Sequence, residues 1–195
     1  MIRTLRPALS LFVFLSLLTG LAYPLLVTAI AQSAFAWRAN GSVLAVDGRA
    51  IGSTLIGQAF SAARDFWGRP SATAPGPDNA LASGGSNLGP SNPAELAAVK
   101  ARVDALHAAD PGNRAPIPVD LVTASGSGLD PDISLAAAEY QAARVARARH
   151  LPLATVQHAI DAAAHHPLLG VFGEPRVNVL ELNLALDGTP ARRID

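Results

Sequence analysis

The chain has 195 residues, enough for about one domain, and its 15 basic and 15 acidic side chains leave a formal net charge of zero. That balance offers no polybasic stripe to follow nucleic acid phosphates, so no nucleic acid partner is expected. Cysteine is absent, which excludes disulfides, thiol nucleophiles and Cys-ligated zinc, and Lys100 is the one lysine available for P-loop or Schiff-base chemistry.

No charged side chain occurs from Pro7 to Trp37. This run is longer than the roughly 20 apolar residues a membrane-spanning helix requires. It predicts a short tail over 1–7 and a transmembrane helix over 8–34, kinked at Pro24, followed by a soluble domain over 38–195. A cleaved signal peptide, suggested by Ala34-Phe35-Ala36, needs an apolar core of only about 7–15 residues. Arg3 and Arg6 precede the span, whereas Arg38, Asp47 and Arg49 nearly balance after it. The positive-inside bias then places the N-terminus in the cytoplasm and the domain on the far side of the membrane. Trp37 fits an aromatic anchor at the interface, or a residue packed on the domain.

Beyond the span, Asp47-Gly48 separates two apolar runs as a tight hairpin turn does, predicting strands over 42–46 and 49–57. Residues 64–93 are rich in Gly, Pro, Ser and Asn and carry no period, which predicts a long irregular segment. Asn92-Pro93-Ala94-Glu95 combines a cap residue, a proline at the first helical position and an early glutamate. Leu96, Val99, Val103 and Leu106 continue it as one helical face. "APIPVDLVTA" reads as a short strand. Asp130-Pro131-Asp132 reads as the start of a helix that runs to about Arg149, where Arg144, Arg147 and Arg149 suit the negative end of the dipole. Leu151-Pro152 breaks that helix, and "LATVQHAIDAAAHH" forms another. "RVNVLELNLALDG" alternates, with Leu180, Leu182, Leu184 and Leu186 on one side, and reads as a half-buried strand. The fold class expected is α+β: one transmembrane helix followed by a single mixed domain with long Gly/Pro/Ser-rich loops.

Candidate chemistry is sparse. No Walker loop is present, and Lys100 lies inside a helix. Gly84-Gly85-Ser86-Asn87-Leu88 and Ala124-Ser125-Gly126-Ser127-Gly128 only approach the nucleophile-elbow pattern. His158, Asp161 and His165 could share a helix face and hold a metal, or simply form a solvated polar face. From the residues alone, no catalytic or metal site emerges.

Taken together, "GSTLIGQAF" (52–60), "FWGRPSA" (66–72), "SGGSNLGPSNP" (83–93), "PVDLVTASGSGLDPDIS" (118–134), "YQAARVARAR" (140–149) and "GEPRVNVLELNLALD" (173–187) resemble one family, in order and nearly end to end. It is the C subunit of the Kdp potassium-transporting P-type ATPase. The resemblance implies a non-catalytic subunit of the bacterial inner membrane, needed for assembly of an ATP-driven importer of K+, an ion this chain does not itself bind. Its partners would be a channel-like potassium-translocating subunit, the ATP-hydrolysing subunit and a small single-span subunit, with membrane lipid around the anchor. The family's role as a catalytic chaperone, raising the ATP affinity of the hydrolysing subunit, implies ATP as a shared cofactor. Leu81-Ala82-Ser83-Gly84-Gly85-Ser86 is similar to the Leu-Ser-Gly-Gly-Gln signature of ABC transporters, apart from the extra alanine and the serine in place of glutamine. On that basis Ser83, Gly84, Gly85, Ser86, Asn87 and Gln141 are candidate nucleotide contacts. A domain on the extracytoplasmic side could not reach cytoplasmic ATP, and would instead dock on the potassium-translocating subunit.

Overall fold

The computed structural model describes residues 2–167, 170, 173–189 and 191–194. The chain divides into two units, one from the N-terminal helix through Val43 together with the C-terminal end from Arg193, the other from Leu44 to Arg192. Among the described residues, the first unit contains one helix long and apolar enough to cross a membrane, Arg3–Ala34. Within it, α1 (Ile2–Leu17) passes through a π-helical turn (Leu18–Ala22) into α2 (Tyr23–Ala34). The π turn stands immediately before Pro24, whose ring and missing N–H disrupt the regular ladder. A short α3 (Ala36–Ala39) follows. Trp37 is packed within this unit: its indole N–H donates to the Val43 carbonyl at 3.0 Å, and the Arg193 guanidinium lies 4.2 Å from its ring centre.

The second unit begins one residue into β1 (Val43–Val46), which neighbours β2 (Arg49–Ser53) in a sheet. Asp47 and Gly48 between them have φ of 51° and 76°. These are the two positive values a type I′ turn demands, and aspartate followed by glycine supplies them with little strain. The second strand ends at Ser53, four residues short of the expectation. Residues 54–92 hold neither a helix nor a strand. Asn92 then caps α4 (Pro93–Ala109), its Oδ1 accepting the Ala94 N–H at 2.9 Å.

Three local expectations are corrected. "PVDLVTA" is a 3₁₀ turn over Val119–Leu121, not a strand. Pro116 and Pro118 remove ladder donors, and the Val122 N–H turns back to the Val119 carbonyl at 3.1 Å. Asp130 does not cap a helix: Asp132–Ser134 is the short strand β3, and α5 (Leu135–Arg149) begins one turn later. Its cap is Ser134, whose Oγ accepts the Ala137 N–H at 3.0 Å. Finally, "RVNVLELNLALDG" is a three-residue strand, β5 (Arg176–Asn178), running directly into a helix, α7 (Val179–Leu186). Asn178 accepts the Glu181 N–H and starts the helix, an Asn-x-x-Glu device that overrides the alternating leucines.

The antiparallel sheet β3-β5-β4 pairs Ile133 with Val177, and Val177 with Ala164 of β4 (Ala164–His165). On it packs α5, with eight of its 15 residues buried. Ala137, Ala138, Ala142 and Ala146 keep its surface low enough for α6 (Leu153–Ala163) to deliver Val156 and Ile160 into the core. Val179 and Leu182 of α7 and the ring of Phe66, from the irregular segment, complete the same cluster. The domain is thus mixed α and β behind one membrane-length helix, as the composition and patterning imply.

Candidate functional site

The irregular segment is held by side chains, because it has few backbone partners of its own. Gln141 of α5 accepts the Trp67 N–H at 2.9 Å and donates to the Trp67 carbonyl at 3.1 Å. Asn183 of α7 does the same for the preceding residue, accepting the Phe66 N–H at 2.8 Å and donating to the Phe66 carbonyl at 3.0 Å. Two buried amides on two helices therefore replace the strand that would otherwise satisfy this backbone. Arg144 lies with its guanidinium 4.7 Å from the Trp67 ring centre and donates to the Ala63 carbonyl and to Gln141 Oε1. Burial lowers its pKa to about 10, with Asp110 and Asp65 opposing the shift, so it remains a cation at neutral pH. Arg149, its side chain 3% exposed, donates to the Arg64 carbonyl and to the carboxylates of Asp65 and Asp187.

Downstream, the two Gly/Ser loops lie against each other. The Ser83 hydroxyl and the Gly84 N–H both donate to the Ser127 carbonyl, at 3.0 and 2.8 Å. Gly128 has φ +66°, and a Cβ there would stand 2.5 Å from the Gly84 carbonyl oxygen. At Gly85 a Cβ would stand 3.0 Å from the Gly126 carbonyl oxygen. The glycines are thus needed for close backbone approach between the loops. Ser71 binds the second loop from behind, donating to the Gly128 carbonyl at 2.6 Å and accepting the Asp78 N–H. Burial raises the Asp78 pKa above 3.8.

The candidate contacts therefore divide. Ser83, Gly84, Gly85, Ser86 and Asn87 form one strip; Ser86 Oγ accepts the Leu88 N–H, and Asn87 takes the left-handed conformation with φ 53°. Gln141 is not part of that strip. It is 1% exposed and its amide is fully used by Trp67, Ala137 and Arg144. Ser127 Oγ accepts the Leu129 N–H as an ordinary serine turn, and among the described residues neither it nor Ser86 is hydrogen-bonded to a histidine. His158 and Asp161 are exposed on α6, while His165 lies beyond that helix in β4, and no metal-holding group of three occurs among the described residues.

The sequence did not single out a pocket of about 220 Å³ between α4 and the clamped segment, walled by Phe60, Trp67, Pro70, Leu106 and Leu121 with Arg69, Arg102 and Asp78 at its polar positions. Arg69 Nη1 pairs with Asp130 at 3.0 Å, while its buried Nε has no hydrogen-bond partner among the described residues. Asn183 and Arg149 were also missed as clamp residues. The concentration of aromatic and basic residues in "RDFWGRP" was the available signal.

What these features have in common is an irregular backbone fixed by inward-pointing polar side chains. The same chain matches the family model for the K+-transporting ATPase, c chain, over residues 5–188. It is 68% identical over 184 residues to the potassium-transporting ATPase KdpC subunit of Methylibium petroleiphilum, covering 94% of this chain and 96% of that one. It is 63% identical to that of Variovorax paradoxus, covering 97% and 98%. With that of Sorangium cellulosum it shares 63% identity, covering 96% and 99%. Because the match runs from within the membrane-length helix to the end of α7, and so takes in both the clamp and the paired loops, the chain belongs to the KdpC family, the c chain of the K+-transporting ATPase.

Proposed function

We propose that this chain is the non-catalytic accessory subunit of an ATP-driven potassium-uptake complex. It is held in the cytoplasmic membrane by its single span, and its folded domain docks on the potassium-translocating subunit from the extracytoplasmic side. One observation carries the docking role over direct nucleotide contact: the phosphate-type donors of the candidate loop, the Ser83 hydroxyl and Gly84 N–H, are both spent on the Ser127 carbonyl. A nucleotide phosphate would have to break those bonds to use them. The arginines at positions 3 and 6, ahead of the uncharged run from Pro7 to Trp37, favour the same topology.

A second reading, the catalytic chaperone that raises the ATP affinity of the hydrolysing subunit, is favoured by the outer face of Gly84. Among the described residues nothing lies within 4 Å of a Cβ built there, which leaves the backbone open to a ligand. The absence of native cysteine makes the test direct. A Ser86→Cys chain, assembled in its complex in intact cells, is treated with a membrane-impermeant maleimide. Labelling before lysis supports docking on the outer side; protection until lysis supports the chaperone and overturns the proposed topology.

A further inference from the structure

The π turn in the span has a consequence for what packs against it. The Tyr23 N–H donates to the Leu18 carbonyl, five residues back. Pro24 has no N–H to give. The Thr19 carbonyl thus lacks both the donor four residues on, Tyr23, and the donor five residues on, Pro24. Gly20 likewise loses its four-residue donor to Pro24. The Thr19 hydroxyl does not help, because it donates to the Leu15 carbonyl at 2.7 Å.

These groups lie near the middle of the membrane-length segment Arg3–Ala34, and the residues around them are exposed. In hydrocarbon there is no water to take up a free carbonyl, and a lipid-facing unsatisfied acceptor at that depth is strongly disfavoured. The surface beside it is also bare: a Cβ on Gly20 would meet nothing within 4 Å among the described residues. Missing side-chain bulk next to an unsatisfied acceptor is the arrangement that admits a second helix closely and rewards a donor on it.

We propose that the Thr19–Gly20 turn is the seat for a transmembrane helix of a partner subunit of the complex, which brings a side-chain hydroxyl or amide donor to the Thr19 carbonyl. A second, parallel copy of this chain suits the site less well. At the same depth it presents Leu18, Gly20, Leu21 and Ala22, which carry no side-chain donor, and Thr19, whose hydroxyl is already engaged.

The inference rests on the span being in the membrane, but not on which side the domain faces. The test uses the full chain, affinity-tagged and co-expressed with the other subunits. Gly20→Leu fills the seat, and Ala22→Leu, two residues on and so on the opposite side of the helix, adds the same bulk away from the seat as a control. After mild detergent extraction, Gly20→Leu is expected to reduce recovery of the partner subunits at least about tenfold, with Ala22→Leu retaining them. Full recovery with Gly20→Leu, or equal loss with both variants, overturns the seat. So does self-association of the tagged chain that Gly20→Leu abolishes while partner recovery is unchanged. Alkaline carbonate extraction of each variant separates the two levels: release of the unmodified chain into the supernatant overturns the anchor itself. Retention in the pellet with undiminished partners overturns only the seat.

Discussion

Replacing Gln141 by leucine is the most informative single change, because the residue was expected from its sequence to touch nucleotide and is found clamping backbone. Leucine fills nearly the same volume, so the loss is polar rather than a cavity. The substitution leaves the Trp67 N–H and carbonyl without their partner, and removes the acceptor of one Arg144 N–H at 2.7 Å. At about 1 kcal/mol for each neutral bond and about 1–3 kcal/mol for a buried group left unsatisfied or a bond to a charge, the loss is about 4 kcal/mol. For a domain of this size that is about 8–16 °C in Tm. Thermal unfolding of the full chain in detergent, followed by tryptophan fluorescence, measures it. Hydrogen exchange at the Trp67 amide localises it: that amide should lose protection before α6 does. A fall in the nucleotide affinity of the complex with Tm changed by less than about 2 °C would instead make Gln141 a nucleotide contact and not a clamp.

Three further substitutions probe the other supports. Gly128→Ala, at positive φ with the Gly84 carbonyl in the way, should destabilise by about 2–3 kcal/mol, whereas Gly84→Ala should change stability by less than about 0.5 kcal/mol; chemical denaturation checks both. Arg149→Met removes a buried cation shared by Asp65 and Asp187 and should cost about 3 kcal/mol by the same measurement. Asp78→Asn tests the linkage sign. The folded pKa of Asp78 is raised above 3.8 by burial. The fold therefore binds the proton more tightly than the unfolded chain, and the contribution of this group is most favourable below 3.8 and is lost as pH rises through the folded value. Asn, which tolerates the positive φ found there, should be more stable than the parent at pH 7, with the advantage fading as pH falls toward 4. A constant difference across that range would contradict the assignment.

The elements legible in the sequence were those whose signals are local. The membrane-length helix announces itself by the missing charges, the hairpin by Asp47-Gly48, and α4 by Asn92-Pro93. Where two local readings competed, tertiary context decided. Leu180, Leu182, Leu184 and Leu186 satisfy a strand period, but Val179, Leu182, Asn183 and Leu186 also satisfy a helical one, and the Asn178 cap with the need to bring Asn183 to Phe66 selects the helix. Asp130 looked like a cap because it precedes a proline; in the fold it accepts from Asp132 and Arg69 instead. The candidate loop was legible as a strip but not in its partner. Ser83 meets Ser127 across 44 residues of chain, and no periodicity reports such a contact. The clamp was hidden for the same reason: amides buried on helices look like solvated polar positions until the backbone they satisfy is seen.

We propose that this chain serves its potassium-transporting ATPase by docking rather than by holding nucleotide. Photoaffinity labelling of the intact complex with an azido-ATP, followed by peptide mapping, distinguishes the two roles. Label confined to the ATP-hydrolysing subunit is the predicted result. Label on this chain within residues 83–87, competed by unlabelled ATP, would contradict it.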